Sequence, residues 1–263
     1  MKRIQEKFQQ LQQRGEKALI PYITAGDPNL EVTRTLVLEL VRQGADIIEL
    51  GIPFSDPLAD GPTIQAACQR ALRQGTHLAQ ILELVRDLRR QTQIPLVLMG
   101  YYNPMLAFGL ERLAREAAAV GVDGFIIPDL PVEEAGPWLK VALPAGLAPI
   151  FLAAPTSGPQ RIRQIGALTR GFLYYVSVTG ITGARSELPA DLTAALKEVR
   201  SLVQVPVAVG FGIAAPEQVR ALAPFVDGVV VGSALVQRLA DFRGEETIRE
   251  IGEFVAALKA PLR

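Results

Sequence analysis

The residue with the clearest chemical potential is a glutamate inside an apolar run. Glu49 is flanked by Ile47, Ile48, Leu50 and Gly51. Because an ionised carboxylate is unfavourable in an apolar environment, we expect the pKa of Glu49 to be raised toward working pH, as suits a general acid or base. The alternative is a structural glutamate that pairs with a neighbouring polar group, since structural networks also perturb pKa values.

Two further carboxylates follow in the segment PFSDPLADGPT. Asp56 stands before proline and Asp60 before glycine, and both dipeptides favour turns. Turn formation is therefore the alternative to a chemical role, and it is the stronger interpretation for Asp56. It is weaker for Asp60, because Leu58 and Ala59 make the loop unusually apolar for a solvated turn.

Other common catalytic groups are missing from useful positions. Histidine occurs once, as His77, and cysteine once, as Cys68. The sequence therefore predicts no His-ligated metal site and no Ser-His or Cys-His nucleophile pair. No lysine ends a predicted strand, which argues against a Schiff-base lysine; the lysines are Lys2, Lys7, Lys17, Lys140, Lys197 and Lys259. Carboxylate acid–base chemistry remains.

Short apolar, β-branched runs that alternate with amphipathic helical segments must position these groups. Such runs are typical of strands buried on both faces of a parallel sheet, and the alternation indicates βαβ units. The runs begin at Ala18, Asp46, Pro95, Gly124, Ala148, Phe172, Val205 and Gly228. An open doubly wound sheet would need a glycine fingerprint after the first strand, and TAGDPN does not supply one. We therefore predict a single-domain (β/α)8 TIM barrel over residues 1–263.

Additional helices are predicted outside the regular units. The N-terminal segment is expected to form a helix that closes the barrel floor with Ile4, Phe8 and Leu11. The connection between the second and third strands has room for two helices, one from about Thr63 and one after an N-cap at Thr76.

Small residues follow the last two predicted strands, in the segments VGFGI and VGSAL. Glycine lets an anion approach backbone N–H groups at a helix N-terminus, and barrels commonly hold phosphate in the loops after strands seven and eight. Glycines that merely permit tight turns are the alternative. The candidate phosphate-binding residues are Gly212, Ile213, Gly232 and Ser233, with Gly183 from SVTGITGARSELPADL, a predicted mobile lid after the sixth strand.

Composition argues against several classes of protein. Lys and Arg together number 27, as do Asp and Glu, so nothing indicates a nucleic-acid binder or a membrane-surface protein. The start of the sequence, MKRIQEKFQQLQQRGEK, has no signal-peptide core, and no apolar run is long enough to span a bilayer. We expect a cytoplasmic small-molecule enzyme or a subunit of a complex.

Several longer motifs carry a resemblance to a known family. They are PYITAGDP, ELGIPFSDPLADGPTIQ, PDLPVEE, GITGAR, GFGI and GSALV, in this order along essentially the whole chain. The chain thereby resembles the tryptophan synthase α subunits, the indole-3-glycerol-phosphate lyases. The resemblance implies a cofactor-independent retro-aldol cleavage to indole and glyceraldehyde 3-phosphate. It also implies that Glu49 shuttles protons and that Asp60 accepts the indole N–H and stabilises the cationic ring.

The same resemblance implies a pocket, a lid residue and a partner. The pocket positions are Tyr22, Tyr101, Ile126, Leu152, Tyr174 and Phe211, with Tyr102 and Tyr175 as their immediate neighbours, and the lid residue is Thr182. The partner is a pyridoxal-phosphate β subunit in an α2β2 complex, faced by Pro53, Asp56 and Pro57. Three alternatives remain: a stand-alone lyase that releases free indole, a regulatory subunit with negligible turnover, and another phosphate-binding barrel such as a sugar-phosphate isomerase.

Overall fold

The strands lie where the apolar runs predict them. The computed structural model describes residues 1–177, 190–210 and 212–263. Its strands are β1 (Ala18–Thr24), β2 (Ile48–Gly51), β3 (Leu96–Met99), β4 (Gly124–Ile126), β5 (Ala148–Ile150), β6 (Leu152–Ala153), β7 (Leu173–Val176), β8 (Val207–Gly210) and β9 (Gly228–Val231). All of their pairings are parallel.

These strands form one closed ring. Their order in the sheet is β5-β4-β3-β2-β1-β9-β8-β7-β6, so β5 and β6 stand at its two ends. Only Phe151 separates these two segments along the chain. Residues 148–153 therefore act as one strand that pairs with β4 on one side and β7 on the other. The predicted eight-stranded barrel is confirmed.

Helices surround the ring and occupy its connections. They are α1 (Lys2–Arg14), α2 (Leu30–Arg42), α3 (Pro62–Arg73), α4 (Leu78–Arg89), α5 (Tyr102–Phe108), α6 (Leu110–Val120), α7 (Gly136–Ala142), α8 (Pro159–Leu168), α9 (Ala190–Leu202), α10 (Pro216–Leu222), α11 (Ser233–Ala240) and α12 (Glu245–Lys259), with 3-10 turns at Ala223–Phe225 and Ala260–Leu262. No helix in the described part of the chain is long and apolar enough to cross a membrane.

Strand side chains alternate between the barrel interior and the layer beneath the helices, as the period of a β-strand requires. In β1, Ala18 and Ile20 belong to the interior cluster, whereas Leu19 and Ile23 belong to the outer one. The other strands, together with the residues directly before β2 and β7, fill the interior with Ile47, Val97, Ile126, Ala148, Ile150, Phe172, Ala208 and Val230. The barrel therefore has an apolar interior below the level of Glu49.

The predicted floor helix is confirmed as α1. Its apolar face, formed by Ile4, Phe8 and Leu11, is buried in the interior cluster. The Phe8 and Phe172 rings lie 5.8 Å apart between centroids. This helix closes the amino-terminal end of the barrel, and the carboxyl ends of the strands lie at the opposite end.

Three aspartates just before β2, β4 and β9 hold the strands in register at the floor. Each accepts a hydrogen bond from a backbone N–H of the neighbouring strand: Asp46 from Leu19 at 2.9 Å, Asp123 from Leu96 at 3.0 Å and Asp227 from Val207 at 2.9 Å. Each also pairs with a cation: Asp46 with Lys259, Asp123 with Arg89 and Asp227 with Arg200. Polar groups are therefore well satisfied at this end.

The predicted pair of helices between β2 and β3 is also confirmed, but the predicted N-cap of the second helix is wrong. The first helix begins at Pro62, and the N-cap of α4 is His77 rather than Thr76. Thr76 is buried against Gly26, where an added Cβ would lie 2.1 Å from the Thr76 hydroxyl. His77 is exposed, and its backbone N–H donates to Gln80 at 3.2 Å. Thr76 therefore packs against a distant part of the chain, and the next residue, His77, caps the helix.

Replacing Asp123 with alanine should strongly destabilise the barrel. The change leaves the Arg89 guanidinium, only 10% exposed, without its carboxylate and the Leu96 N–H without its acceptor. We expect a loss of about 3–5 kcal/mol in the free energy of unfolding, measured by urea denaturation.

The matched control is Asp87→Ala. Its partner Arg90 lies 3.1 Å away in a solvent-exposed pair. Losing such a pair should change stability by less than about 1 kcal/mol. Similar losses in the two variants would contradict a special role for the floor carboxylate.

Candidate active site

Glu49 lies inside the mouth of the barrel. It belongs to β2, where its register partners are Tyr22 on β1 and Val97 on β3. Its side chain is 1% exposed, and its Oε2 atom has no hydrogen-bond partner among the described residues. A structural glutamate would be expected to satisfy both oxygens. This geometry therefore favours a group kept available for a ligand.

Burial sets the protonation state of this carboxyl. Desolvation, followed by the nearby charge of Asp60, raises the pKa of Glu49 to about 8. The carboxyl therefore holds its proton in a large fraction of molecules at neutral pH. It can donate that proton to a bound ligand and then accept another.

Asp60 is fixed from several directions in the loop between β2 and α3. Its backbone N–H donates to Pro57 at 3.0 Å, and its carbonyl accepts from the Gln65 side chain at 2.8 Å. The Tyr101 hydroxyl hydrogen-bonds the Asp60 carboxyl and accepts from the Ala59 N–H at 2.9 Å. Burial raises the pKa of Asp60, and the hydrogen bond from Tyr101 opposes that rise. Asp60 is thus a partly buried, oriented carboxyl rather than a freely solvated turn residue.

The outer surface of the same loop has a different character. Asp56 is exposed and its carboxylate accepts a hydrogen bond from Ser55. Pro53 and Pro57 are buried within the chain. Leu58 projects almost fully into solvent, with 93% exposure. Of the three residues predicted to face a partner, only Asp56 presents an exposed side chain, and Leu58 joins it on that surface.

Two inward-facing tyrosines flank the carboxylates. An added Cβ on Gly51 would lie 2.1 Å from the Tyr22 hydroxyl, and one on Gly210 would lie 2.3 Å from the Tyr174 hydroxyl. Any larger residue at either position would overlap the tyrosine hydroxyl, so each glycine leaves the space that a tyrosine side chain occupies. Burial raises the pKa of both tyrosines, and the charges of Glu49 and Asp60 also raise it. Both hydroxyls stay protonated.

Tyr102 and Tyr175, the sequence neighbours of Tyr101 and Tyr174, lie away from the candidate site. Tyr175 is buried in the outer cluster beneath the helices, and Tyr102 packs at the edge of that cluster. Tyr101 instead contacts the Asp60 loop, and its ring lies 5.4 Å from that of Phe54. Of the two adjacent pairs, Tyr101 and Tyr174 are therefore the members at the candidate site.

Apolar side chains lie next to the inward-facing residues of the candidate site. Ile126 belongs to the interior cluster, and the half-buried Leu152 packs against it. Met99, which the sequence analysis missed, packs against both the interior cluster and the group around Tyr22. The period-2 alternation of β3, with Val97 inward, could have identified Met99.

The candidate phosphate residues lie after neighbouring strands. Gly210 of β8 pairs with Val230 of β9, which brings the two following loops to the same edge. Gly212 adopts a left-handed φ of 71° and is exposed, whereas Ile213 is buried. Gly232 caps α11 and Ser233 begins it. The first N–H groups of a helix have no intrahelical acceptor, so this junction can receive an anion.

Some predicted positions cannot be placed. Phe211, Thr182 and Gly183 lie outside the described residues, as do all other lid residues within 178–189, while the last three residues of the predicted lid form the start of α9. Within the described ranges, no group of three His, Cys, Asp or Glu side chains is arranged to hold a metal ion. A cavity of about 520 Å³ opens at the barrel floor beside α1, but none of the candidate site residues lines it. The two carboxyls whose pKa is raised, Glu49 and Asp60, lie at the mouth instead.

The raised pKa of Glu49 predicts a pH-dependent stability difference for Glu49→Gln. In the unfolded chain Glu49 loses its proton above its ordinary pKa of 4.5, whereas in the folded chain it keeps the proton up to about pH 8. Between these pH values the ionised unfolded state is favoured, so the parent loses stability as pH rises. The neutral variant should gain stability relative to the parent as pH rises, by at most about 1.4 kcal/mol per pH unit in this window. Urea unfolding at several pH values measures the difference.

The control for this measurement is Glu111→Gln, which changes an exposed glutamate on α6. Its stability difference from the parent should stay nearly constant across the same pH range. A constant difference for Glu49→Gln as well would show that burial does not hold the proton on Glu49.

Comparisons with known proteins show the family of the chain. A family model described as tryptophan synthase alpha chain matches residues 8–260. A tryptophan synthase alpha chain from Citrifermentans bemidjiense is 54% identical over 259 residues, which cover 98% of this chain and 97% of that relative.

Solved structures show the same fold. Tryptophan synthase subunit alpha from Legionella pneumophila superposes with a TM-score of 0.92 at 38% identity, covering 99% of this chain and 98% of that one. A chain from the tryptophan synthase α2β2 complex of Pyrococcus furiosus has a TM-score of 0.87 at 42% identity, covering 92% of this chain and 98% of that one. On these matches, this chain belongs to the tryptophan synthase alpha chain family, whose members are lyases of tryptophan biosynthesis.

Proposed function

We propose that this chain cleaves indole-3-glycerol phosphate to indole and glyceraldehyde 3-phosphate, as one barrel domain over residues 1–263. The observation that carries the proposal is the buried carboxyl of Glu49, with its pKa near 8, close to the oriented carboxyl of Asp60. A mouth lined by aromatic and apolar side chains suits a flat indole ring. Glycine-bearing strand–helix junctions on the same edge suit its phosphate.

Glu49 is the proposed general acid and base. Its protonated form gives a proton to C3 of the indole ring, which makes the ring cationic. The resulting carboxylate takes the proton of the adjacent side-chain hydroxyl, and that carbon becomes an aldehyde as the carbon–carbon bond breaks. The electron pair of the broken bond returns to the ring. Because one proton is given and one is taken, a single carboxyl with a pKa near working pH can serve both steps.

Asp60 is the proposed electrostatic partner. Its carboxylate accepts a hydrogen bond from the indole N–H and stabilises the positive charge that develops when C3 is protonated. A fixed charge in a water-poor site is more effective than one in bulk solvent. The hydrogen bond from Tyr101 favours the ionised form that this role requires.

The remaining site residues hold the two ends of the substrate. The proposed wall for the indole ring is Tyr22, Tyr101, Ile126, Leu152, Tyr174 and Phe211. The proposed phosphate-binding residues are Gly183, Gly212, Ile213, Gly232 and Ser233, and Thr182 belongs to the lid.

The proposed partner is a tryptophan synthase β subunit, with assembly into an α2β2 complex like that of the Pyrococcus furiosus relative. The exposed Asp56 and Leu58 would contact it, while the buried Pro53 and Pro57 shape the loop that presents them. Pyridoxal phosphate would belong to that β subunit, and this chain would use no cofactor of its own. We place the enzyme in the cytoplasm.

Glu49→Gln tests the mechanism. The variant keeps the shape of the side chain but cannot exchange a proton, so indole release should fall by at least about 10²-fold, the usual contribution of a general acid or base. Substrate binding, measured by calorimetry, should remain within a few-fold of the parent. The assay follows indole release from indole-3-glycerol phosphate, with and without an added tryptophan synthase β subunit.

The two assay conditions separate the alternative functions. Slow release alone and strong stimulation by the β subunit support a synthase subunit, whereas fast release alone indicates a stand-alone lyase. Undiminished release by Glu49→Gln would remove this residue from the mechanism. Glu111→Gln controls for an unrelated glutamate change, because Glu111 lies exposed on α6.

Gly212→Leu tests the phosphate assignment. A bulky side chain at this strand–helix junction should obstruct the anion and raise KM for indole-3-glycerol phosphate more than it lowers kcat. The matched control is Gly15→Leu, because Gly15 has nearly the same φ, 72° against 71°, at the end of the floor helix. It reproduces the backbone strain far from the mouth. An unchanged KM in Gly212→Leu would refute phosphate binding at Gly212.

A further inference from the structure

A pair of buried hydroxyls on β1 has no role in the mechanism proposed above. The Tyr22 and Thr24 hydroxyl oxygens lie 3.3 Å apart, and either can be the donor. Both side chains face the barrel interior and are at least 93% buried, with 7% and 1% exposure. Two hydroxyls carry two hydrogens, and one hydrogen bond between them uses only one. Since the hydrogen bonds of the described residues give the second hydrogen no acceptor, the pair can donate it to a third group.

Tyr22 spans the distance between the two ends of the proposed site. Its Cβ and Cδ1 atoms lie 3.4 Å from where a Cβ on Gly232 would stand, and its hydroxyl lies over Gly51. Gly232 begins the proposed phosphate site, and Gly51 is two residues beyond Glu49 on β2. Because β1 lies between β9 and β2 in the sheet, the tyrosine ring runs from the phosphate end to the carboxylate end.

The ring is held in this position by its surroundings. Tyr22 packs in a small cluster with Cys68 of α3 and Val236 of α11. These helices follow the Asp60 loop and the Gly232 junction, respectively. The hydroxyl is therefore oriented by the protein before any ligand binds, which reduces the entropy lost on binding.

The proposed substrate carries hydroxyl groups between its ring and its phosphate, where the Tyr22 hydroxyl could contact them. In indole-3-glycerol phosphate, a three-carbon chain bearing two hydroxyls joins the ring to the phosphate. In the proposed arrangement, with the phosphate at Gly232 and the reacting carbon at Glu49, that chain lies beside Tyr22. Building on the proposed function, we infer that Thr24 donates to the Tyr22 hydroxyl, whose own hydrogen is donated to a hydroxyl of this chain. Tyr22 is thus a specificity-determining residue for the hydroxylated linker, in addition to forming part of the ring pocket.

The test compares two ligands in a background that does not turn over. Calorimetry on Glu49→Gln protein measures binding of indole-3-glycerol phosphate and of 3-(indol-3-yl)propyl phosphate, which keeps the ring and phosphate but lacks both hydroxyls. Adding Tyr22→Phe removes only the phenolic oxygen. Indole-3-glycerol phosphate should bind about five- to tenfold more weakly, as expected for one lost hydrogen bond, and the deoxy analogue should be unaffected.

Two further variants sharpen the comparison. Thr24→Val should weaken the hydroxylated ligand selectively, because the Tyr22 hydroxyl loses its fixed orientation. Tyr175→Phe is the matched control, since Tyr175 is also a buried tyrosine but lies in the outer cluster. It should leave both ligands unchanged.

The outcome with Tyr22→Phe decides between a hydrogen-bonding role and a packing role for Tyr22. Equal weakening of both ligands by Tyr22→Phe would assign Tyr22 to packing alone and overturn the inference, as would no change for either ligand. If the parent releases indole and Tyr22→Phe is unselective, only this inference fails. If the protein binds neither ligand and releases no indole, the inference and the proposed function fail together.

Discussion

The exclusion of water from the Glu49 carboxyl is the constraint on which the rest of the structure depends. Burial keeps the proton on this group at a pH where an exposed glutamate would have lost it. That burial requires an apolar barrel interior beneath the carboxyl and a closed floor below the interior. Both are present, since the interior cluster is apolar throughout and α1 contributes Ile4, Phe8 and Leu11 to it. The floor helix therefore supports the burial of Glu49 from the other end of the barrel.

The two ends of the barrel treat polar groups in opposite ways. At the floor, Asp46 and Asp123 each combine a backbone hydrogen bond from a neighbouring strand with a cationic partner. At the mouth, Glu49 Oε2 and the hydroxyl of Ser177 are buried without a partner among the described residues. Unpaired buried polar atoms reduce stability but remain available to ligands. The satisfied floor thus stabilises a barrel whose mouth is left incompletely paired.

Much of the fold could be predicted because parallel strands buried on both faces produce nearly continuous apolar runs. Glu49 was conspicuous for the same reason, as a carboxylate within such a run. The choice between Tyr174 and Tyr175 also follows from strand parity, because Phe172 faces inward. Other features depend on residues distant in sequence. Nothing local shows that Thr76 packs on Gly26, or that Tyr22 extends from Gly232 to Gly51.

The floor helix also constrains how the protein is made. During translation, α1 is synthesised before the parts of the chain that cover it, and Phe172 follows Phe8 by more than half the length of the sequence. Its side chains are anchored both nearby and far along the chain: Lys7 pairs with Asp46 at 3.8 Å, and Arg3 binds Asp123 at 3.1 Å, 120 residues further on. By contrast, the Asp46–Leu19 and Asp123–Leu96 hydrogen bonds each close a segment of 27 residues. Local βαβ units can therefore set their register early, whereas the contact of Phe8 with Phe172 must wait until the later part of the chain is made.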